Sequence, residues 1–203
     1  MKTNKITRLC NIFCFICAAM LTVSCGVGRS PNSSFYSLIA TATPSAEIKG
    51  DFSNSGIVIK NINMPSYLNR PQIVLREADG TKLNISELNR WAGNLGDNIK
   101  TVLAEDLSVI LKDASVKPLT FGDKDYKYVI SVEINRFDAF VDGRAEMSVW
   151  WDIGYGKNFT ENKNGQFKLS RTYDGGYDDM VRVQSEMLTT FASVLANEIA
   201  KLK

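Results

Sequence analysis

Met64-Pro-Ser-Tyr-Leu-Asn-Arg-Pro-Gln-Ile-Val74 is the stretch on which the reading of this chain turns. A strand-like apolar run closes at Leu68, and Gln72-Ile-Val-Leu-Arg76 opens a new strand. Between them Pro71 holds Arg70 extended, because proline disfavours the α region for the residue before it. Two strands therefore meet at a corner fixed by proline. Tyr67, Leu68, Asn69, Arg70, Pro71 and Gln72 bring together a ring, two amides and a guanidinium there, with no obvious nucleophile or base. These six are candidate partner-binding residues. The other reading is a structural corner, in which Tyr67 packs and Arg70 pairs with an internal carboxylate.

Outward from the corner the patterns are regular. Phe35–Ile39 and Gly56–Met64 read as strands, and Asp79-Gly80 is a hairpin turn into Lys82–Ile85. From Ser86, placed as an N-cap with Glu87 in the first turn, apolar residues recur at three- and four-residue steps to Leu111, which predicts a long amphipathic helix. Gly93 and Gly96 inside it imply a bend or a close backbone approach. Lys117–Lys124 reads as a loop. Tyr126–Ile134 and Ala145–Tyr155 alternate as two antiparallel strands around the Asp142-Gly143 turn, with the alternation broken over Arg136–Val141 by a bulge or a register shift. Asn162–Gly165 reads as a turn before a strand at Phe167–Tyr173, and a second helix runs from about Asp178 to Leu202. Trp91, Met180 and Met187 are expected in the core, while adjacent Trp150 and Trp151 must point to opposite faces. The expected fold is α+β: a single domain with a largely antiparallel sheet covered by two long amphipathic helices.

The N-terminus carries Lys2, Lys5 and Arg8, then an apolar run from Leu9 to Val23, then Ser24-Cys25. That run is shorter than the ~20 residues a spanning helix needs, so residues 1–24 are read as a signal peptide. The small residue before Cys25 resembles a bacterial lipobox, which makes Cys25 the lipidation site and residues 25–34, glycine-rich and polar, a tether. Gly26, rather than Asp, follows the cysteine and favours the outer membrane. Residues 35–203 then form the domain.

Composition excludes most chemistry. The four cysteines are residues 10, 14, 17 and 25, so the mature chain keeps no free thiol for a disulfide, a zinc site or a nucleophile. Histidine is absent, which removes the commonest general base at neutral pH. The signal holds three of 24 basic and none of 22 acidic residues, so 21 basic residues face 22 acidic ones in the mature chain and nothing recommends nucleic acid. The carboxylate pairs Asp123/Asp125 and Asp178/Asp179, with Asp174, lack calcium-loop spacing and are read as turn and cap residues. No catalytic residue, metal ligand or cofactor is assigned.

Tyr67-Leu-Asn-Arg-Pro-Gln-Ile-Val74, Arg90-Trp91-Ala-Gly-Asn-Leu95 and Glu105-Asp-Leu-Ser-Val-Ile-Leu111 together resemble the auxiliary lipoproteins of ABC-type lipid transport systems, the PqiC-like proteins. The resemblance spans nearly the whole mature chain, from Phe35-Tyr36-Ser-Leu38 to the closing helix. It implies a non-enzymatic, membrane-anchored periplasmic subunit. Such a subunit docks an MCE-domain protein and its ABC transporter at the outer membrane and assists lipid transport between membranes. The rival readings are a protein that itself carries a lipid between helices and sheet, and a structural, ring-forming envelope lipoprotein built by homo-oligomerisation.

Overall fold

Alternating apolar residues over Tyr128–Ile134 and Ala145–Ile153 generate the strands on which the sheet is assembled. The computed structural model describes residues 31–44, 48, 51–53, 55–112, 114–119 and 126–202. In chain order the elements are β1 (Ser34–Tyr36), β2 (Gly56–Asn63), β3 (Gln72–Arg76), β4 (Leu83–Trp91), α1 (Leu95–Ile110), β5 (Ser115–Pro118), β6 (Tyr128–Phe140), β7 (Arg144–Tyr155), β8 (Glu161–Thr172) and α2 (Gly176–Lys201). They belong to one unit, Ser33–Lys203. The other unit, Met1–Asn32, falls almost wholly outside the described residues, and with it Cys25, the signal peptide and most of the tether.

The eight strands form one mixed sheet, not a largely antiparallel one. β6 pairs with β7 in antiparallel fashion, as the Asp142-Gly143 turn indicates, and β7 pairs with β8 in the same way. β2 and β3 instead both run parallel to β6: Ile57–Asn63 line up with Tyr128–Glu133, and Leu75 and Arg76 with Ala139 and Phe140. One edge of β6 thus carries two strands in succession, with the proline corner between them. β5 is parallel to β2 and β1 to β4, while β3 and β4 form the antiparallel hairpin. Turn residues report only pairings between chain neighbours, so these long-range parallel pairs leave no such mark.

The core-facing set on β6 is Tyr128, Ile130, Val132 and Ile134, then Phe137 and Ala139. The change of parity is the expected bulge, a register shift between Ile134 and Arg136. Helix α1 packs over β2 and β5, α2 over β7 and β8, and the two helices touch each other. Trp91, Trp151, Met180 and Met187 are buried in this layer, whereas Trp150 is 50% exposed on the opposite face.

Several local readings are corrected. The helix expected from Ser86 begins at Leu95, with Asn94 as its cap, accepting from the Asp97 N–H. Residues 86–91 belong to β4. The Ser86 hydroxyl does accept the Asn89 N–H at 3.0 Å, as an N-cap would. That turn goes no further, because Arg90 pairs with Gln72 and Phe35, and Trp91 with Tyr36. Gly93 lies before the helix in open space, and Gly96 is a close approach: a Cβ there would stand 3.1 Å from Met64 Cε. Next, Lys117 and Pro118, expected in a loop, finish β5. Proline is tolerated there at the end of an edge strand.

Finally, Asn162–Gly165 is strand, not turn. Gly165 sits opposite Trp151, and a Cβ on it would lie 2.5 Å from the indole, so this glycine makes room for a ring. The reversal is made earlier, by Gly156 and the 3-10 turn Lys157–Phe159, where Asn158 and Phe159 take positive φ.

After Tyr36 the chain, expected to stay a strand to Ile39, peels off the sheet and lies against both helices. Asn98 of α1 accepts the Leu38 N–H at 2.8 Å and donates to its carbonyl at 3.2 Å. Ser185 of α2 accepts the Ile39 N–H. Fully buried Asp106 accepts the Thr41 and Ala42 N–H groups at 3.0 and 2.9 Å and the Thr189 hydroxyl at 2.8 Å. Helix side chains thereby supply hydrogen bonds to Leu38, Ile39, Thr41 and Ala42 of a strap that has no strand to pair with. Asp106→Ala should strand two amides and a hydroxyl and cost about 3 kcal/mol, from roughly 1–3 kcal/mol per unsatisfied buried group only partly rehydrated. Urea unfolding checks the cost, and hydrogen exchange should show the Thr41 and Ala42 amides losing protection.

Candidate functional site

The corner folds because each residue satisfies its neighbour locally. The Leu68 and Asn69 N–H groups donate to the Pro65 and Ser66 carbonyls at 3.0 and 3.2 Å, and the Pro71 carbonyl accepts the Trp91 N–H at 2.7 Å. Leu68 is 5% exposed and plugs the core. The Asn69 amide oxygen accepts from Asn94 Nδ2 at 3.2 Å, which ties the corner to the cap of α1. Between them Asn63, Met64, Asn69, Asn94 and Asp97 line an open polar cleft of about 380 Å³.

The internal carboxylate anticipated for Arg70 exists, but other residues take it. Asp138, 3% exposed on β6, accepts the Tyr67 hydroxyl at 2.8 Å on one oxygen and Arg76 Nε at 2.8 Å on the other. The Arg76 guanidinium also lies 5.2 Å from the Tyr67 ring centre. Burial, reinforced by the hydrogen bond and charge of Asp138, pushes the Tyr67 phenol up to about 12. For Arg76 burial opposes the charge, but the bond to Asp138 and its field outweigh it and the pKa is raised. The network continues over the same face: Arg136 reaches Glu146 at 3.4 Å, and Arg144 reaches Glu146 at 3.0 Å, Asp142 at 2.9 Å and the Phe140 ring at 4.0 Å.

The six candidate residues therefore divide. Tyr67 and Leu68 hold the corner in place. Asn69 and Pro71 are exposed, and Arg70 and Gln72 half-buried. The Nε atoms of Arg70 and of Arg90, the register partner of Gln72, are buried without a hydrogen-bond partner. Arg90 belongs with the candidate set, and the extension of the β3–β4 hairpin as far as Gln72 and Arg90 places it there. Among the described residues, no group of three or more carboxylates, histidines or cysteines could hold a metal ion. Asp123 and Asp125 lie outside the described residues, and Asp179 is a cap, accepting the Asp174 and Gly175 N–H groups at 2.9 and 3.2 Å.

Two helices roof the sheet, and the corner presents polar side chains beside the cap of α1. A model for the ABC-type transport auxiliary lipoprotein component matches residues 36–196, and the chain belongs to that family. It is 26% identical over 189 residues to the intermembrane transport lipoprotein PqiC of Escherichia coli, spanning 91% of this chain and 95% of that protein. The PqiC of Shigella flexneri matches to the same extent. Among solved structures, an uncharacterised protein superposes with a TM-score of 0.69 at 22% identity, over 83% of this chain and 99% of the other. A Xanthomonas campestris protein gives 0.67 at 14% identity, over 81% and 93%. Those two likenesses are of fold.

Tyr67 and Tyr173 give the fold an alkaline limit. Burial also pushes Tyr173 up to about 12, and its hydroxyl donates to the Phe140 carbonyl at 2.5 Å. Both groups are acids whose neutral form the fold favours. Their stabilisation is therefore full below the ordinary value of 10.0 and is lost as the pH climbs through about 12. Tyr67→Phe should cost about 1–3 kcal/mol at neutral pH by stranding an Asp138 oxygen, yet flatten part of the alkaline loss. Urea midpoints from pH 7 upward measure both effects, and adding Tyr173→Phe should flatten the curve further.

Proposed function

We propose that this chain is a non-enzymatic lipoprotein that docks an MCE-type ABC transport system at the outer membrane, facing the periplasm, and assists lipid movement between membranes. Family membership over residues 36–196 carries the reading. The name of the Escherichia coli relative, an intermembrane transport lipoprotein, supports the direction. In this reading residues 1–24 are removed, Cys25 is acylated, residues 25–34 are the tether and residues 35–203 the working domain.

Docking is assigned to the exposed half of the corner: Asn69, Arg70, Pro71 and Gln72, with Arg90. Arg70 and Arg90 bring two half-exposed guanidinium groups to this side of the corner, and a carboxylate or carbonyl from a partner would accept from them. Against a lipid-carrying role, Trp91 at 7% and Met187 at 1% exposure are packed between helices and sheet, where a carried lipid would lie. The ring-forming alternative predicts self-association without any change in lipid distribution on deletion.

Crosslinking in intact envelopes, followed by purification, tests the assignment. The wild-type chain should bring down an MCE-domain protein. Arg70→Glu with Gln72→Ala should weaken the association about thirtyfold, as for loss of a hot-spot residue worth near 2 kcal/mol, while the urea midpoint stays unchanged. Recovery of the wild-type chain alone, without any transporter component, would reject the reading. Mass spectrometry of the mature N-terminus should find a diacylglyceryl group on Cys25.

A further inference from the structure

We infer that the β1–β4 edge is a membrane-contact surface, on which Phe35, Leu88 and Ile85 enter the leaflet that carries the acyl chains of Cys25. The inference rests on the anchor proposed above and adds which side of the domain lies against the lipid. Among the described residues seven large apolar side chains are left exposed, and these three fall on β1 and β4: Phe35 at 66%, Ile85 at 48% and Leu88 at 37%.

Their direction follows from pairing. Tyr36 and Trp91 are register partners and pack toward the core, so Phe35 projects from the opposite face, beside its own partner Arg90. Leu88 stands two positions before Arg90 on the same strand, and Ile85 pairs with Val74, which faces away from buried Ile73.

The position of the tether selects lipid as the occupant. Cys25 precedes Phe35 by ten residues, a span of at most about 33 Å. The tether enters the fold at β1, an outermost strand of the sheet, whose first residue Ser34 pairs with Asn89, the residue after Leu88. The exposed apolar set therefore lies where the chain arrives from the membrane. Glu87 and Arg90 flank it with opposite charges, so apolar burial rather than attraction to anionic headgroups is the driving term. The geometry also places the candidate docking residues near the bilayer, since Phe35, Arg90 and Gln72 are neighbours across three adjacent strands.

The mature chain has no thiol once Cys25 is acylated, so a single introduced cysteine takes a spin label cleanly. Acylated protein carrying Phe35→Cys, Leu88→Cys or, as a control across the sheet, Gln166→Cys would be reconstituted in phosphatidylethanolamine–phosphatidylglycerol vesicles. Labels at 35 and 88 should collide more with oxygen than with a water-soluble nickel chelate. The order should invert at 166, and the protection should not change with the phosphatidylglycerol fraction.

Mass spectrometry of the same samples separates the two ways of failing. If Cys25 is acylated and residues 35 and 88 are as open to nickel as residue 166, the inference is overturned and the anchor stands. If both labels are shielded from both reagents and broaden one another, a second copy covers the edge and the inference is again overturned. An unacylated chain removes the anchor and this surface together.

Discussion

One edge of β6 holds two strands that cannot be continuous with each other, and most of this architecture follows from that constraint. β2 occupies the first half of the edge and β3 the end, both running in the same direction, so the chain must leave the sheet and rejoin it within the Met64–Pro71 corner. The departure is stabilised from both faces. Leu68 descends into the core, and on the other face Tyr67 and Arg76 share Asp138. Removing one partner from such a buried pair leaves an uncompensated charge, which is why the corner's shape is fixed while its rim stays available.

A second buried carboxylate does comparable work elsewhere. Asp106 supplies hydrogen bonds to a segment that has left the sheet and has no strand to pair with. Both aspartates thus serve backbone or side chains that the regular ladders leave unsatisfied, and both are almost completely buried. The acidic and basic residues over Asp142–Glu146 likewise satisfy one another.

Sequence patterns captured what depends on near neighbours. The corner, β3, the Asp79-Gly80 and Asp142-Gly143 turns, the bulge after Ile134 and the closing helix are all set by proline, glycine or two- and four-residue periodicity. They missed what depends on distant contact. Ser86 carries a real capping interaction, yet strand pairing to Gln72 and β1 decides the fate of residues 86–91. Gly165 reads as a turn residue, and only the ring of Trp151 across the ladder explains it. Of the candidate site, the six corner residues were legible as a group. Their division into two that pin and four that face outward was not, because it turns on Asp138, some seventy positions away.

Since β2 and β3 each take their alignment from β6 rather than from one another, the number of residues joining them is not dictated by either ladder. Lengthening or shortening the chain between Asn69 and Pro71 would alter the outline of the protruding rim while leaving both registers intact. The architecture therefore lets the outline of this one junction vary independently of the framework that supports it.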